Sequence, residues 1–154
     1  MKSSLIITMM ILLVAGLLGH MAEPTPSNAL AEATIRVPED YGTIQAAIDA
    51  AGDGDLVLVG PGTYNENLTI DGKSIILASH YHITADDTII DQTIIDGGGS
   101  NTITVKASAG PQTRITGFTI QNGNDGILAG AKLEIDHNRI VGNSDGLDYS
   151  GGGG

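Results

Sequence analysis

The hydrophobic pattern changes its period once along the chain. From Ile44 to Ala51 the apolar residues recur at the spacing of one helix face. Thr43 is a suitable N-cap residue, and Gly52 is suited to the position just past the helix end. The pattern predicts one short amphipathic helix, which needs an apolar surface to pack on because a helix of this length is unstable alone.

Downstream of this helix, the apolar residues form short runs that are bounded by Gly, Asp, Asn or Pro, as is typical of β-strands. The runs cover residues 56–59, 68–70, 74–78, 93–95 and 103–105. The "DGD" at residues 53–55 lacks the spacing of a calcium-binding loop. It is expected to form a tight turn between the helix and the first strand.

The C-terminal part of the chain repeats itself. Residues 118–127 align with residues 138–147, and an isoleucine, an Asp-Gly pair and an aliphatic residue recur in phase. A weaker column of isoleucines is expected at positions 76, 95, 115 and 135. A period near twenty residues with about three short strands per repeat is typical of a solenoid.

Two solenoid families have repeats of this length, and the pattern distinguishes them. The L-x-x-L-x-L frame of a leucine-rich repeat is absent, whereas the inward aliphatic residues and polar corners of a parallel β-helix are present. The parallel crossovers should be right-handed. The sequence therefore predicts an all-β chain, a right-handed parallel β-helix of about four coils, whose exposed N-terminal end is covered by the short capping α-helix.

Residues 1–31 have the features of an export signal. Lys2 precedes an uncharged run from Leu5 to Leu18, and Ala29-Leu30-Ala31 fits a small-x-small cleavage site. The alternative is an uncleaved anchor, although the run is shorter than the roughly 20 residues that span a bilayer. We expect a signal-peptide helix in residues 1–31, an N-terminal segment with the capping helix in residues 32–52, and coils in residues 53–154. The mature protein would be extracellular or periplasmic, with no membrane segment.

Charge and composition exclude several classes of function. The net charge is −11 and only seven Lys and Arg residues are present, so nucleic acid is not an expected partner. The chain has no Cys, which excludes disulfides, thiolate nucleophiles and thiolate metal sites. Aromatic residues make up only 3%, so the core must be built from small aliphatic side chains, which suits stacked strands.

The segment "VPEDYGTIQAAIDAAGDGDLVLVGPGTYNENLTI" closely resembles the opening of right-handed β-helix proteins of the pectin-lyase-like superfamily, pectin methylesterases included. The later "TIIDGG" and "GFTIQNGNDGI" resemble coil motifs of their secreted relatives. The resemblance implies binding or processing of extracellular polysaccharide, by a lyase, a hydrolase or an esterase. Because non-enzymes share this opening, the alternative is a non-catalytic surface or adhesion solenoid.

The resemblance does not identify catalytic residues in this chain. The Gln-Asp-Thr motif of the methylesterases does not occur, and Asp91-Gln92-Thr93 has the letters in another order. The lyases need a carboxylate cluster for calcium and an arginine, for which Arg114 and Arg139 are the basic candidates near carboxylates.

A column of Asn101, Asp125 and Asp145 is the main candidate site. If the register holds, Asp125 and Asp145 stack about 4.8 Å apart, which is unfavourable unless a cation bridges them, solvent screens them or one is protonated. We therefore consider a calcium site at Asp125 and Asp145, or a substrate-binding set of both aspartates with Arg139, with Asp136 and Asp148 nearby. The alternative is purely structural, because Asp-Gly is a common corner pair.

Two further regions raise expectations. His80 and His82, on one strand face, could bind a metal, but the segment around them is more consistent with a solvated loop that forms a groove wall and offers Tyr81 for sugar stacking. The sequence ends within a repeat, at "SGGGG". The chain is therefore expected to be a fragment, truncated at the C-terminus, of a longer protein whose downstream coils cover the open end; the alternatives are another subunit or the glycine tail itself.

Overall fold

The structure is a computed structural model, and it describes residues 32–149. The expected signal peptide and the glycine tail lie outside these residues. The elements are, in chain order, β1 (Thr34–Val37), α1 (Ile44–Ala50), β2 (Leu56–Val59), β3 (Gly62–Asn65), β4 (Leu68–Ile70), β5 (Ile76–Ser79), α2 (Tyr81–Thr84), α3 (Thr88–Gln92), β6 (Thr93–Asp96), β7 (Ile103–Val105), β8 (Arg114–Thr116), β9 (Thr119–Gln121), β10 (Asp125–Ala129), β11 (Glu134–Asp136), β12 (Arg139–Val141) and β13 (Asp145–Tyr149).

The strands form three parallel sheets, and the chain visits them in rotation. Sheet A has the order β1-β2-β5-β8-β11, sheet B has the order β3-β6-β9-β12, and sheet C has the order β4-β7-β10-β13. One strand from each sheet makes one coil, so four coils stack between the first and the last strand. The chain is therefore an all-β solenoid of stacked parallel strands, which fits a parallel β-helix.

The core consists of aliphatic columns that run along the solenoid. In sheet A the register stacks Val57, Leu77, Ile115 and Ile135, the first three of which are fully buried. Each such side chain contributes roughly 1.5–3 kcal/mol through burial. Columns in the other sheets repeat this arrangement, with Ile95 on Ile120 and Ile140 in sheet B and Ile103 on Ile127 and Leu147 in sheet C.

One expected column is wrong. Ile76 pairs with Arg114 on the outside of sheet A, and Ile95 lies in sheet B, so neither stacks with Ile115 and Ile135. Ile76 is one position away from the inward residue Leu77, and residues 80–92 are an insertion in the second coil, which places Ile95 in sheet B. This insertion contains α2 and α3, two helices that the strand-and-turn interpretation did not predict.

The predicted capping helix is confirmed as α1. Thr43 is its N-cap, and the Thr43 hydroxyl accepts a hydrogen bond from the Ala46 N–H at 3.3 Å. Ile44, Ala47 and Ile48 are buried against the first coil. The helix therefore covers the apolar cross-section that the first coil would otherwise expose.

Residues of the first coil also provide hydrogen-bond partners for the free backbone groups at both ends of α1. The Glu66 carboxylate accepts hydrogen bonds from the free N–H groups of Ile44 and Gln45, at 2.9 and 3.0 Å. At the other end, the Lys73 ammonium donates to three carbonyls of the last turn, those of Ile48, Asp49 and Ala51. An anion at the N-terminus and a cation at the C-terminus both complement the helix dipole.

Two different groups cover the strand edges at this end. Strand β1 pairs with β2 and so completes sheet A. In sheet C, the Gln45 side-chain amide takes the place of a strand, because its oxygen accepts from Thr69 N–H at 2.8 Å and its nitrogen donates to Thr69 C=O at 3.2 Å. No helix within residues 32–149 is both long enough and apolar enough to cross a membrane.

Candidate functional site

The predicted aspartate column exists in sheet C. Asp125 and Asp145 are direct partners in the register of β10 and β13. The Asn101 side-chain oxygen lies 3.4 Å from the Asp125 backbone N–H, one coil earlier. Asp125 is only 7% exposed, whereas Asp145, on the last coil, is exposed. Two carboxylates therefore stack on neighbouring coils as the repeat indicated.

The structure does not bring the other predicted residues to this column. Arg139 lies in sheet B, where its guanidinium contacts Asp91 at 2.9 Å. Asp136 lies in sheet A and pairs with Arg114. Within residues 32–149, no group of three or more His, Asp or Glu side chains is arranged to hold a metal ion. A calcium ion at Asp125 and Asp145 would need further ligands from backbone, Asn101 or water.

The DGD segment at residues 53–55 has a structural role, and His80 and His82 lie outside the strands. Asp55 accepts hydrogen bonds from Ala33 and Gly52 N–H groups, both at 2.8 Å, and Asp53 accepts from Ser74 N–H at 2.7 Å. The "DGD" segment is therefore the expected tight turn. His80 and His82 do not lie on a strand face as expected, because the chain turns into α2 directly after β5.

A mixed cluster of charged and aromatic side chains forms where the chain passes from sheet A to sheet B. We call it the corner cluster, and it consists of Tyr81, Arg114, Glu134, Asp136 and His137. The Arg114 guanidinium donates to Asp136 Oδ2 from both Nε, at 3.1 Å, and Nη2, and its Nε lies 3.7 Å from Glu134 Oε1. Parallel pairing of β8 and β11 positions these three residues, since Arg114 is opposite Glu134.

The ion pair at the centre of the corner cluster is firmly ionised. Burial of Asp136 opposes its ionisation, but the hydrogen bonds and the charge of Arg114 outweigh this effect and hold the Asp136 pKa below its usual value. The hydrogen bond to Asp136 raises the pKa of Arg114 in turn. The second oxygen of Asp136, Oδ1, is buried without a hydrogen-bond partner among the described residues, and it lies 3.6 Å from His137 Nδ1.

The rings of Tyr81 and His137 lie against each other at the edge of the cluster. Their centroids are 4.9 Å apart at an angle of 31°. Gly117 makes the contact sterically feasible, because a Cβ at that position would collide with Ser79 Oγ and lie 2.8 Å from Tyr81 Cβ. Tyr81 therefore lies across the third coil and reaches a ring that belongs to the fourth.

His137 occupies a backbone conformation that suits glycine better. Its φ is +49°, in the left-handed region, and the residue twenty positions earlier is Gly117, with φ +87°. A non-glycine residue in this region costs about 1 kcal/mol or more. The half-exposed imidazole, with 52% of its side chain accessible, is thus held at a corner where the preceding coil carries no side chain.

The insertion forms a wall beside the corner cluster on the sheet B side. The Ile90 carbonyl of α3 accepts a hydrogen bond from the Thr119 hydroxyl at 2.9 Å, and Asp91 forms the ion pair with Arg139. The segment therefore contacts two successive strands of sheet B, β9 and β12. These contacts show that the insertion packs on sheet B, and the expectation that it forms the wall of a groove stays a prediction.

Sequence reasoning named Arg114, Asp136 and Tyr81 separately but did not place them together, and it did not consider His137. A signal for His137 was present in the repeat, where it aligns with Gly117 and so interrupts the glycine of the preceding corner. A polar depression of about 440 Å³ near Lys73, Ser74 and Gln112 is a weaker candidate, because its lysine is already bound to the helix carbonyls.

Comparisons with protein-family models, with curated proteins and with solved structures found no match to this chain.

Proposed function

We propose that this chain is a secreted, right-handed parallel β-helix of the pectin-lyase-like kind, which binds or processes extracellular polysaccharide at the corner cluster. The resemblance of the cap and first coil to that superfamily supports the assignment. The right-handed rule for parallel crossovers supports the hand. The features of residues 1–31 support export.

The observation that carries the proposal is the convergence of Arg114, Glu134 and Asp136 on one face, beside the contacting rings of Tyr81 and His137. A non-catalytic adhesion solenoid has no need for carboxylates and an arginine to converge in this way. Sugar rings present C–H faces that pack on aromatic rings, and sugar hydroxyls donate hydrogen bonds to carboxylates. The corner cluster offers both kinds of contact on an exposed surface.

The insertion adds to this proposal by limiting where a polymer could lie. It contacts β9 and β12 through Ile90 and Asp91, so it flanks the corner cluster along the solenoid axis. A linear chain of sugars that follows the coils would run between this wall and the outer face of sheet A. Such a path along the coils suits a polymer better than a small molecule.

The test is a survey of polysaccharides with the mature protein. Affinity electrophoresis measures binding, and assays for new reducing ends, unsaturated ends and released methanol distinguish a hydrolase, a lyase and an esterase. Glu134→Gln and His137→Gly should weaken binding to whichever polymer is found, while exposed Lys132→Gln should not. If no polysaccharide is retained or altered by the wild-type protein, the proposal is wrong.

A second candidate is a calcium-stabilised surface solenoid without catalysis. The stacking of Asp125 on Asp145 favours it, because two like charges on neighbouring strands repel unless a cation or solvent compensates them. In that case a chelator lowers the melting temperature, and Asp145→Asn removes the effect. An unchanged melting curve in chelator would exclude this candidate.

A further inference from the structure

We propose that the ligand of the corner cluster is an uncharged glycan rather than an acidic one. This inference rests on the proposed function and concerns the chemical class of the polysaccharide. It follows from the state of the two arginines near the cluster, from the charge around them and from the groups that remain free.

Both arginines at this corner already have carboxylate partners. Arg114 is bound to Asp136 through two nitrogens and lies near Glu134, and 29% of its side chain is exposed. Since the pKa of Asp136 is lowered and that of Arg114 is raised, both members of the pair are charged at neutral pH, where an acidic sugar is charged too. A sugar carboxylate would have to compete for this guanidinium with Asp136, whose side chain is 23% exposed, and with Glu134.

Arg139 offers an acidic sugar little more. Its pair with Asp91 is exposed, with about 60% of each side chain accessible, so the pair itself is weak. A sugar carboxylate that displaced Asp91 would nevertheless leave the Asp91 charge beside it. Like charges in contact oppose binding by more than the exchanged ion pair contributes.

The negative electrostatic field of the whole protein also disfavours binding of an acidic glycan. The chain carries a net charge of −11, and three carboxylates, those of Asp91, Glu134 and Asp136, accompany the two arginines at this corner. An anionic polymer is therefore repelled on approach, most strongly at low ionic strength. An uncharged polymer has no such barrier.

The groups left free are those that an uncharged sugar uses. Glu134 is 67% exposed and can accept hydrogen bonds from hydroxyl groups. His137 is half-exposed and can donate or accept, and the Tyr81 ring lies beside it. These groups provide acceptors, one adaptable ring nitrogen and an apolar surface, with no free cation among the five residues of the cluster.

The exposed lysines lie at another corner. Lys106 follows β7 and Lys132 precedes β11, so both belong to the turns from sheet C to sheet A, and neither forms an ion pair within residues 32–149. An acidic glycan that binds this protein through charge would be expected there. The two corners thus give distinguishable sites for the two classes of ligand.

The experiment uses a pair of oligosaccharides that differ in charge, oligogalacturonate and its carboxyl-reduced form. Uncharged xylo-, cello- and manno-oligosaccharides of equal length are added because the linkage is unknown. Titration calorimetry is done at low and at physiological ionic strength. We expect an uncharged member to bind about tenfold more tightly than its acidic counterpart, with the preference largest at low salt.

Variants assign the binding to a corner. Glu134→Gln and His137→Gly should weaken binding of the uncharged oligosaccharide about fivefold or more, a loss of the size expected for one ligand hydrogen bond. The double variant Lys106→Gln, Lys132→Gln should bind it as the wild type does. Because Glu134 and His137 have exposed side chains, we expect both variants to retain the fold. Far-ultraviolet circular dichroism and a melting curve check this.

Each remaining outcome overturns a defined part of the reasoning. Tighter binding of the acidic member, with sensitivity to His137→Gly, would overturn the uncharged class and leave the proposed function standing. Binding that is lost only in the lysine double variant would place the glycan at the other corner and overturn the inference. If no oligosaccharide binds, the proposed function fails and the inference fails with it.

Discussion

Replacing His137 by glycine and by alanine tests whether this corner is strained in the way its backbone angle indicates. At an ordinary position, glycine is less stable than alanine by roughly 0.5–1 kcal/mol, because the unfolded chain gains freedom. At φ +49°, alanine keeps the left-handed penalty of about 1–2 kcal/mol, and glycine does not.

The entropy cost of glycine and the left-handed penalty of alanine together give the expected difference in stability between the two variants. Both variants lose the Tyr81 ring contact, worth about 0.5–1.5 kcal/mol, so this loss cancels in the comparison. Subtracting the midpoint of the glycine entropy cost from the midpoint of the relieved strain leaves His137→Gly more stable than His137→Ala by about 0.75 kcal/mol. The sign is thus opposite to the ordinary one.

Urea unfolding followed by circular dichroism measures the difference through the transition midpoints, provided that the slopes agree. Thr104, on the outer face of β7, serves as the matched control, because its φ is not positive. There the alanine variant should be the more stable one. If the alanine variant is at least as stable as the glycine variant at position 137, the strain argument for His137 is refuted.

Three further predictions concern the cap, the ion pair and the coil corners. Glu66→Gln and Lys73→Met should each lower the unfolding free energy by about 1–2 kcal/mol, since they remove charged caps of α1, whereas exposed Lys106→Met should have little effect in the same urea titration. The contribution of Asp136 is fully present above its unfolded pKa of about 3.9 and is lost as pH falls through its lower folded value, because its folded pKa is depressed. Asp136→Asn should therefore destabilise the protein at neutral pH and make the acid side of the stability profile flatter; an unchanged profile would contradict the pairing. Gly126→Ala should cost about 2 kcal/mol or more by thermal unfolding, because its Cβ would lie 2.6 Å from a backbone carbonyl of the next coil, and a melting curve like the wild type's would show that the coils are spaced differently.

The regular parts of the fold could be predicted because each depends on a local pattern. The 3.6-residue period and the Thr43 cap determine α1, and the in-phase Asp-Gly pairs determine that Asp125 stacks on Asp145. The stacking of Ile95 could not be predicted from an average period. The insertion in the second coil changes the local spacing without changing the sheet to which each strand belongs.

The corner cluster was harder to predict, because its members come from the third coil, the fourth coil and the insertion in the second coil. Arg114 and Asp136 are brought together by strand register, which sequence spacing indicates only once the sheet of each strand is known. Tyr81 reaches His137 because Gly117 leaves room for it, and no pairwise spacing contains that information. Arg139 was grouped with Asp125 and Asp145 by proximity in sequence, whereas the turn between β12 and β13 places it in another sheet.

The central claim is that a glycan binds at the corner cluster, and backbone-amide NMR tests it most directly. An uncharged oligosaccharide identified by the survey is titrated into the isotopically labelled protein, and the shift changes are mapped by residue. We predict the largest changes at Tyr81, Glu134 and His137, with saturation at one affinity. Changes confined to the turns that carry Lys106 and Lys132, or none at saturating ligand, would contradict the claim.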